Sequence, residues 1–303
     1  MATICITGGT GLIGKALTHY LSAKGHAIII LSRSAKNSNQ PLVSYRQWNP
    51  ENGTIDEKAI AETDYIIHLA GAGVADKRWT NKRKEEIRKS RVDGSALIVK
   101  ALNEIPNKVK AVVSASGIGW YGPDKKNAFA ETDPAYQDFL GITCEEWEQS
   151  IEPVTKLGKR LVKLRTGIVL SNDGGALVEF KKPLRFGLAA VLGSGKQIVS
   201  WIHINDLVRM YEYALENDQL NGAFNAVSPN PVSNKDLTLA LATKMKGRAF
   251  ITMPVPSFAL KVVLGEMSIE VLKSATVSAA KIRNSGFQFL YPSLDAALNE
   301  LIA

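Results

Sequence analysis

The sequence predicts an α/β fold, with a doubly wound parallel sheet followed by a smaller C-terminal α/β lobe. Two observations support this prediction. Short, continuously apolar runs alternate with helical stretches through the first half of the 303-residue chain, as in sheets that are buried on both faces. A glycine-rich turn joins the first apolar run to the first helical stretch. In such sheets, ligands bind beyond the carboxyl ends of the strands.

The first strand is predicted at residues 3–6, and an amphipathic helix at residues 15–21 carries Leu17 and Leu21 four positions apart. Glycines at three-residue spacing between them allow a tight turn and the close approach of a pyrophosphate. Free N–H groups and the dipole at the helix start favour an anion. The sequence therefore predicts that a dinucleotide is bound by Gly8, Gly9, Thr10, Gly11, Leu12, Ile13 and Gly14.

The later elements follow the same alternation. Apolar runs predict further strands at 27–31, 64–69, 110–114 and 161–165, and a long helix is predicted at 79–103. After about Leu170 the pattern changes, with turn-rich stretches at 172–175 and 193–195 and prolines at 229, 231, 254 and 256. We expect a nucleotide-binding domain at 1–170 and a substrate lobe at 171–303, with some segments crossing this boundary.

Composition narrows the function classes. The net charge of +8 comes from basic clusters that are spread along the chain and diluted by Glu85 and Glu86, which favours solvated helix faces over nucleic-acid binding. Cys5 and Cys144 have neither metal-ligand nor disulfide spacing, so we expect no metal and a reducing, cytoplasmic setting. No apolar run is long enough to span a membrane, and the predicted strand at the N-terminus leaves no room for a signal peptide. The expected partner is a small molecule, not nucleic acid or a membrane.

The end of the second strand indicates which dinucleotide is bound. A carboxylate there would bind the ribose 2′-hydroxyl and disfavour a 2′-phosphate. The chain instead has Ser32 and Arg33, a hydroxyl and a planar guanidinium fork that both suit a phosphate. This predicts NADP(H) rather than NAD(H). The alternative is that Arg33 is an ordinary surface arginine.

Small residues follow the strand at 64–69. They allow the backbone to pass close to the adenosine ribose and the diphosphate, so the cofactor site is extended to Leu69, Ala70 and Gly71. His68 lies within the strand itself and is interpreted as a packed core histidine rather than as an acid or base.

Three segments, 8–14, 68–71 and 114–122, together resemble the extended and atypical short-chain dehydrogenases/reductases. Further segments resemble the "epimerase family protein" group within them, which includes proteins named as nucleoside-diphosphate-sugar epimerases and as cell-division inhibitors. These segments are Trp79, Ser90-Arg91, Trp147-Glu148, 165–170, 193–195, 200–206 and 286–301. The resemblance implies an NADP-binding Rossmann fold and a short C-terminal domain from about residue 250. It also implies that Glu86, Arg91 and Val169 lie near the cofactor.

The resemblance implies a catalytic Ser or Thr, with a Tyr and a Lys four residues apart on a helix, where the Lys lowers the pKa of the phenol. Ser116 matches the serine. The Tyr and Lys positions, counted back from Trp147-Glu148, hold Leu140 and Cys144, which cannot exchange a proton in this way. Two other pairs have the right spacing. Tyr20 and Lys24 lie on the first helix, away from the nicotinamide end, and Tyr121 and Lys125 are separated by Gly122-Pro123, which argues against a helical turn.

The remaining candidates are polar or aromatic residues near strand ends. We predict Ser116, Tyr121 and His203 as catalytic residues, and Ser114 and Trp201 as substrate-binding residues. Trp201 and His203 would share one face of a strand, where the indole could stack on a ring and the imidazole could move a proton. Alternatively, Trp201 belongs to the core and His203 is hydrogen-bonded to Asp206 or to the backbone.

Two function hypotheses follow. The first is an NADP(H)-dependent oxidoreductase or epimerase-like enzyme acting on a small hydroxyl- or carbonyl-bearing molecule, possibly a sugar nucleotide. The second is a non-catalytic NADP(H)-binding regulator, which the missing Tyr/Lys pair favours. The sequence leaves the oligomeric state open.

Overall fold

A computed structural model of the chain describes residues 1–34 and 37–302. Its main sheet has eight strands in the order β12-β7-β6-β5-β1-β2-β3-β4, and only the β3–β4 pair is antiparallel. The strands of this sheet are β1 (Thr3–Thr7), β2 (Ala27–Ser32), β3 (Val43–Asn49), β4 (Thr54–Ile55), β5 (Tyr65–His68), β6 (Ala111–Gly117), β7 (Arg160–Thr166) and β12 (Gly222–Ala226).

Three two-stranded sheets, β8–β11, β10–β13 and β9–β14, form the smaller lobe. Their strands are β8 (Ile168–Leu170), β9 (Leu188–Leu192), β10 (Ile198–Val199), β11 (Trp201–His203), β13 (Val232–Ser233) and β14 (Ile251–Val255). The helices are α1 (Leu12–Ala23), α2 (Glu57–Ala61), α3 (Asn81–Glu104), α4 (Phe139–Ile151), α5 (Ala176–Leu184), α6 (Ile204–Glu216), α7 (Asn234–Lys246), α8 (Ser257–Leu264), α9 (Ser268–Leu272), α10 (Ala280–Asn284) and α11 (Leu294–Leu301). Within the described residues, no helix is both long and apolar enough to cross a bilayer.

The fold class predicted from the sequence is confirmed. The predicted strands at 3–6, 27–31, 64–69, 110–114 and 161–165 correspond to β1, β2, β5, β6 and β7, and the helix predicted at 79–103 is α3. Strand β3 was not predicted, because it lies near the sheet edge and carries polar residues such as Arg46 and Gln47. The last strand of the main sheet, β12, comes from beyond residue 170 and pairs with β7.

Strand order determines where the ligand crevice lies. From β1 the chain builds outwards through β2 and β3 on one side, and through β5, β6 and β7 on the other. The switch point is therefore between β1 and β5, where Thr7 pairs with His68. Ligands of doubly wound sheets bind outside the carboxyl ends of the strands at such a point. The turns after β1, β5 and β6 border this crevice.

Candidate functional site

The glycine turn after β1 is shaped by close backbone contacts. Gly8 has a φ of +69°, and a Cβ at this position would lie 3.0 Å from the backbone of Leu69 and Ala70. A Cβ on Gly14 would approach the Gly8 carbonyl oxygen to less than 3.0 Å. Gly11 begins α1 without a side-chain cap, which leaves the helix start to backbone N–H groups. The turn therefore has no room for a side chain at Gly8 or Gly14, and α1 begins with backbone N–H groups that no side chain caps.

The ends of β1 and β5 are locked together by a buried relay. The Thr7 hydroxyl oxygen accepts the N–H groups of Leu69 and Ala70, at 3.1 and 3.2 Å, and lies 2.8 Å from His68 Nδ1. His68 Nε2 lies 3.1 Å from the Ser95 hydroxyl. Burial lowers the pKa of His68 to about 3, so the ring is neutral at physiological pH. This arrangement agrees with the interpretation of His68 as a core residue that positions the turn.

Helix α3 supports the segment that follows β5. Arg91 Nη1 donates to the carbonyl oxygens of Ala72 (3.0 Å) and Ile87 (2.8 Å), and a Cβ on Gly71 would lie 3.0 Å from its guanidinium carbon. Arg91 thus lies against Gly71, which is itself a predicted cofactor residue. Glu86 is exposed at the start of the helix, where it pairs with Arg83 at 2.7 Å.

Val169 is brought to the start of α1 from far along the chain. A Cβ on Gly175 would lie 3.4 Å from Leu12 Cδ2 and 3.6 Å from the Val169 carbonyl oxygen. The turn after β8 therefore packs beside the first residue of α1. Long-range folding thus places the predicted cofactor residue Val169 next to the glycine turn.

The segment after β2 is more open. Ser32 is half-buried and Arg33 is exposed. A groove of about 440 Å³ lies between α1 and β2–β3 and is lined by Gly9, Lys15, Thr18, His19, Ile30, residues 37–40, Val43 and Tyr45. It therefore adjoins both the glycine turn and the segment that follows β2.

Near the carboxyl ends of β6 and β7, three polar side chains form a buried group. The Ser116 hydroxyl donates to Glu148 Oε1 at 2.7 Å, and Arg165 contacts the same carboxylate through Nε (2.8 Å) and Nη2 (3.0 Å). Burial opposes the charge on Arg165, but the bonds to Glu148 outweigh it and the pKa of Arg165 is raised. A buried carboxylate held in this way by two donors is fully compensated. We call Ser116, Glu148, Arg165, Tyr121 and Asn225 the polar cluster.

Tyr121 and Asn225 complete this cluster. Arg165 Nη1 donates to the Tyr121 hydroxyl at 3.1 Å, and that hydroxyl donates to Asn225 Oδ1 at 2.7 Å. Tyr121 is fully buried and its ring stacks on Phe129, with centroids 5.0 Å apart. Burial raises the pKa of the phenol to about 12. The phenol therefore stays protonated and engaged with protein groups.

The positions of the missing Tyr and Lys are apolar. A Cβ on Gly119 would lie 3.0 Å from Leu140 Cβ and 3.7 Å from Cys144 Sγ. Leu140 and Cys144 on α4 thus face the turn after β6. Burial raises the pKa of the Cys144 thiol to about 11, so this thiol does not act as an acid or base near neutral pH.

The other predicted residues have structural partners. Trp201 is fully buried and donates its indole N–H to the Asn230 carbonyl at 3.0 Å. His203 caps α6, where its Nδ1 accepts the Asn205 N–H at 3.1 Å and its Nε2 lies 2.9 Å from Glu300. Burial lowers the pKa of His203. Of the two interpretations considered above, this geometry favours the structural one. Ser114 is also buried, and its hydroxyl donates to the Ala115 carbonyl.

The two Tyr/Lys pairs of suitable spacing are engaged elsewhere. Tyr20 and Lys24 both contact Glu212, at 2.7 and 2.6 Å, and tie α1 to α6. Ligand atoms of Glu212, His26 and Glu216 lie within 4.8 Å of one another, but the Lys24 ammonium already balances Glu212. In the other pair, Tyr121 is buried, whereas Lys125 is half-exposed and binds Asp133. The two side chains therefore do not act together.

Sequence reasoning assigned no role to Glu148 and Arg165, although they dominate the polar cluster. One signal was available, because Arg165 is a charged residue at the end of a predicted buried strand, 161–165. Its partner could not be read from spacing, since Glu148 lies on a helix 17 residues earlier.

Comparison with known proteins agrees with this architecture. Residues 4–139 match the NAD dependent epimerase/dehydratase family, and residues 255–301 match a domain of unknown function, DUF1731. Epimerase family protein YfhF of Bacillus subtilis is 36% identical over 301 residues, which cover 99% of this chain and 98% of the relative. Epimerase family protein Mb2239 of Mycobacterium bovis is 34% identical, with 98% and 96% of the two chains covered.

Solved structures of similar fold also include epimerase family proteins. The human epimerase family protein SDR39U1, crystallised with NADPH, is 30% identical, with a TM-score of 0.86 and 99% of both chains covered. UDP-N-acetylglucosamine 4-epimerase from Bacillus cereus has a TM-score of 0.79 at 18% identity, with 100% and 98% of the chains covered, and shares the fold. Together with the glycine turn at the switch point, this similarity shows that the chain is an epimerase family protein, an atypical member of the short-chain dehydrogenases/reductases.

Proposed function

We propose that this protein binds NADP(H) and acts as an oxidoreductase or epimerase-like enzyme on a small hydroxyl- or carbonyl-bearing substrate. The observation that carries the proposal is the bare backbone of the Gly8–Gly14 turn, which opens at the switch point of the sheet. A side chain at Gly8 or Gly14 would crowd the neighbouring backbone, so the compact turn needs glycine at both positions. The human relative crystallised with NADPH supports the choice of cofactor.

The cofactor's diphosphate would lie on the N–H groups of Leu12 and Ile13, where the helix dipole favours an anion. Gly11, whose own N–H donates to the Gly8 carbonyl at 3.0 Å, would leave room for it by having no side chain. Ser32 and Arg33 would hold the 2′-phosphate. The rest of the site would be formed by Gly8, Gly9, Thr10, Gly14, Leu69, Ala70, Gly71, Glu86, Arg91 and Val169. When bound, NADP(H) supplies hydride-transfer chemistry.

Among the proposed catalytic residues, Ser116 is the best placed. It lies near the carboxyl end of β6 beside the crevice, and its hydrogen points to the Glu148 carboxylate, which leaves the hydroxyl lone pairs for a substrate donor. Tyr121 and His203 would first have to give up Asn225 and Glu300, respectively. Ser114 and Trp201 remain the proposed substrate-side residues.

Calorimetry with NADPH and NADH tests the cofactor assignment. Loss of one charge-assisted pair to phosphate should weaken NADPH binding by about 10- to 100-fold in Arg33→Ala and leave NADH binding unchanged. The control variant is Arg283→Ala, at an exposed arginine on α10. It should bind NADPH and NADH with the same affinities as the parent protein. Equal losses for the two nucleotides in Arg33→Ala would refute the assignment to NADP(H).

A second function, a non-catalytic NADP(H)-binding regulator, is favoured by one observation. Leu140 and Cys144 face the turn where the resemblance implies Tyr and Lys, and Tyr121 is engaged in the core. The two functions are separated by assaying NADPH oxidation with aldehydes, ketones and sugar nucleotides. Turnover that is lost in Ser116→Ala while NADPH still binds identifies an enzyme. Tight NADPH binding without turnover on any substrate identifies the regulator.

A further inference from the structure

The C-terminal lobe exposes large apolar side chains. Phe186 is 84% exposed, Ile251 is 70% exposed, and Phe258 and Val262 are each 71% exposed. Met253 and Val263 are also exposed, at 39% and 67%. Scattered exposed apolar residues are normal, but a contiguous group marks an interaction surface. We call Phe186, Ile251, Met253, Phe258, Val262 and Val263 the C-terminal apolar surface.

Strand pairing shows that part of this surface is continuous. In the parallel pair β9–β14, Ile251 is opposite Leu188 and Met253 is opposite Ala190. These residues share one face, whereas Ala189 and Val191 on the other face are buried in the core. The Ile251 N–H donates to the Gly187 carbonyl at 2.8 Å, which places the turn containing Phe186 at the start of the same sheet.

Helix α8 follows β14 after a single proline and carries the other members of the surface. Phe258 and Val262 are four residues apart and therefore lie on the same side of the helix. Leu260, in contrast, is turned inwards and is 8% exposed. The helix thus buries one apolar residue in the core and presents others to the solvent.

Cations flank the apolar residues. Arg185 precedes Phe186, Arg248 lies three residues before Ile251, and Lys261 lies between Phe258 and Val262. All three are exposed, and none takes part in an ion pair within the described residues. The acidic residues that follow on the chain are compensated, since Glu266 pairs with Lys84 and Glu270 with Lys273.

We propose that the C-terminal apolar surface docks peripherally on an anionic lipid bilayer. Aromatic and aliphatic side chains would enter the headgroup boundary while Arg185, Arg248 and Lys261 meet lipid phosphates. A second copy fits less well, because a two-fold contact through the same surface would bring these cations together. The sequence alone predicted no membrane partner, since this surface is assembled from separate segments.

Co-sedimentation of the full chain with vesicles tests the proposal. We expect binding to vesicles that contain phosphatidylglycerol, little binding to phosphatidylcholine alone, and release at high salt. The double variant Phe258→Asp/Val262→Asp should partition at least about 10-fold more weakly. Leu290→Asp, at a 57% exposed leucine outside this surface, should bind like the parent. NADPH affinity and thermal unfolding should not change in any of these variants.

Three results would overturn the proposal. The first is that the protein sediments neither with vesicles that contain phosphatidylglycerol nor with vesicles of phosphatidylcholine alone. The second is an equal loss of binding in the double variant and in Leu290→Asp. The third is a dimer in light scattering that Phe258→Asp/Val262→Asp dissociates, which would assign the surface to a second copy of the chain. None of these results bears on the NADP(H) site, because calorimetry tests that site separately.

Discussion

The glycine turn and the polar cluster both border the crevice, but they are built in opposite ways. The turn offers backbone N–H groups at the uncapped start of α1, and its shape depends on side chains being absent at Gly8 and Gly14. The cluster has two buried charges, Glu148 and Arg165, and each is satisfied by groups from other elements of the fold.

This difference separates two roles. A backbone cradle in the open can accept an anion without rearrangement. A buried and fully satisfied ion pair gains nothing from a ligand and loses much when one partner is removed. The turn is therefore suited to binding, and the cluster to holding Ser116 and the end of β6 in place.

The largest expected effect is at Glu148. In Glu148→Ala, Arg165 would stay buried without its carboxylate, which should lower the free energy of unfolding by about 3–5 kcal/mol. Urea denaturation measures this change. Glu152→Ala is the matched control, because Glu152 is 53% exposed and pairs with Lys163, and its loss should cost at most about 1 kcal/mol. Similar losses in both variants would contradict the structural role of the cluster.

The glycine turn should respond differently at two of its positions. In Gly14→Ala the new Cβ would collide with the backbone of Gly8 and Gly9, and we expect a loss of about 1–3 kcal/mol in the free energy of unfolding. In Gly11→Ala the Cβ finds only an ordinary contact of 3.4 Å, so stability should change by less than about 1 kcal/mol. NADPH affinity should nevertheless fall in Gly11→Ala, since the methyl group would stand over the proposed diphosphate site. Unchanged affinity would move the diphosphate away from Gly11.

The smallest effect is a pH dependence from His68. Its pKa is about 3 in the fold and near 6.5 in the unfolded chain, so the unfolded state binds the proton first as the pH falls. The neutral ring therefore stabilises the fold fully above pH 6.5. Between pH 6.5 and the folded pKa, protonation of His68 in the unfolded chain lowers the free energy of unfolding by up to about 1.4 kcal/mol for each pH unit.

Urea denaturation at a series of pH values measures how the free energy of unfolding depends on pH. The His68→Asn variant should show a flatter slope between pH 6.5 and 5.5 than the parent, whatever its absolute stability. His19→Asn, at an exposed histidine on α1, should keep the parent slope. A parent slope that persists in His68→Asn would place the titrating group elsewhere.

Local sequence patterns were enough to predict much of the fold. Continuous apolar runs predicted β1, β2, β5, β6 and β7, because buried parallel strands need apolar side chains on both faces. Strand β3 lies near the sheet edge and has no such run, so it was not predicted. The glycine spacing likewise predicted a compact turn, because the sterics of three glycines act within a few residues.

By itself, the sequence determined the alternating fold, the glycine turn and the presence of Leu140 and Cys144 where the resemblance implies Tyr and Lys, since each of these depends on residue types at short spacing. Only the tertiary structure decided that Glu148 meets Ser116 and Arg165 and that His203 is held by Glu300. It also decided that Gly175 lies beside both Val169 and Leu12. It also assembled the C-terminal apolar surface from Phe186, β14 and α8. The physical reason is distance along the chain, because packing and charge compensation join groups whose separation no local periodicity records.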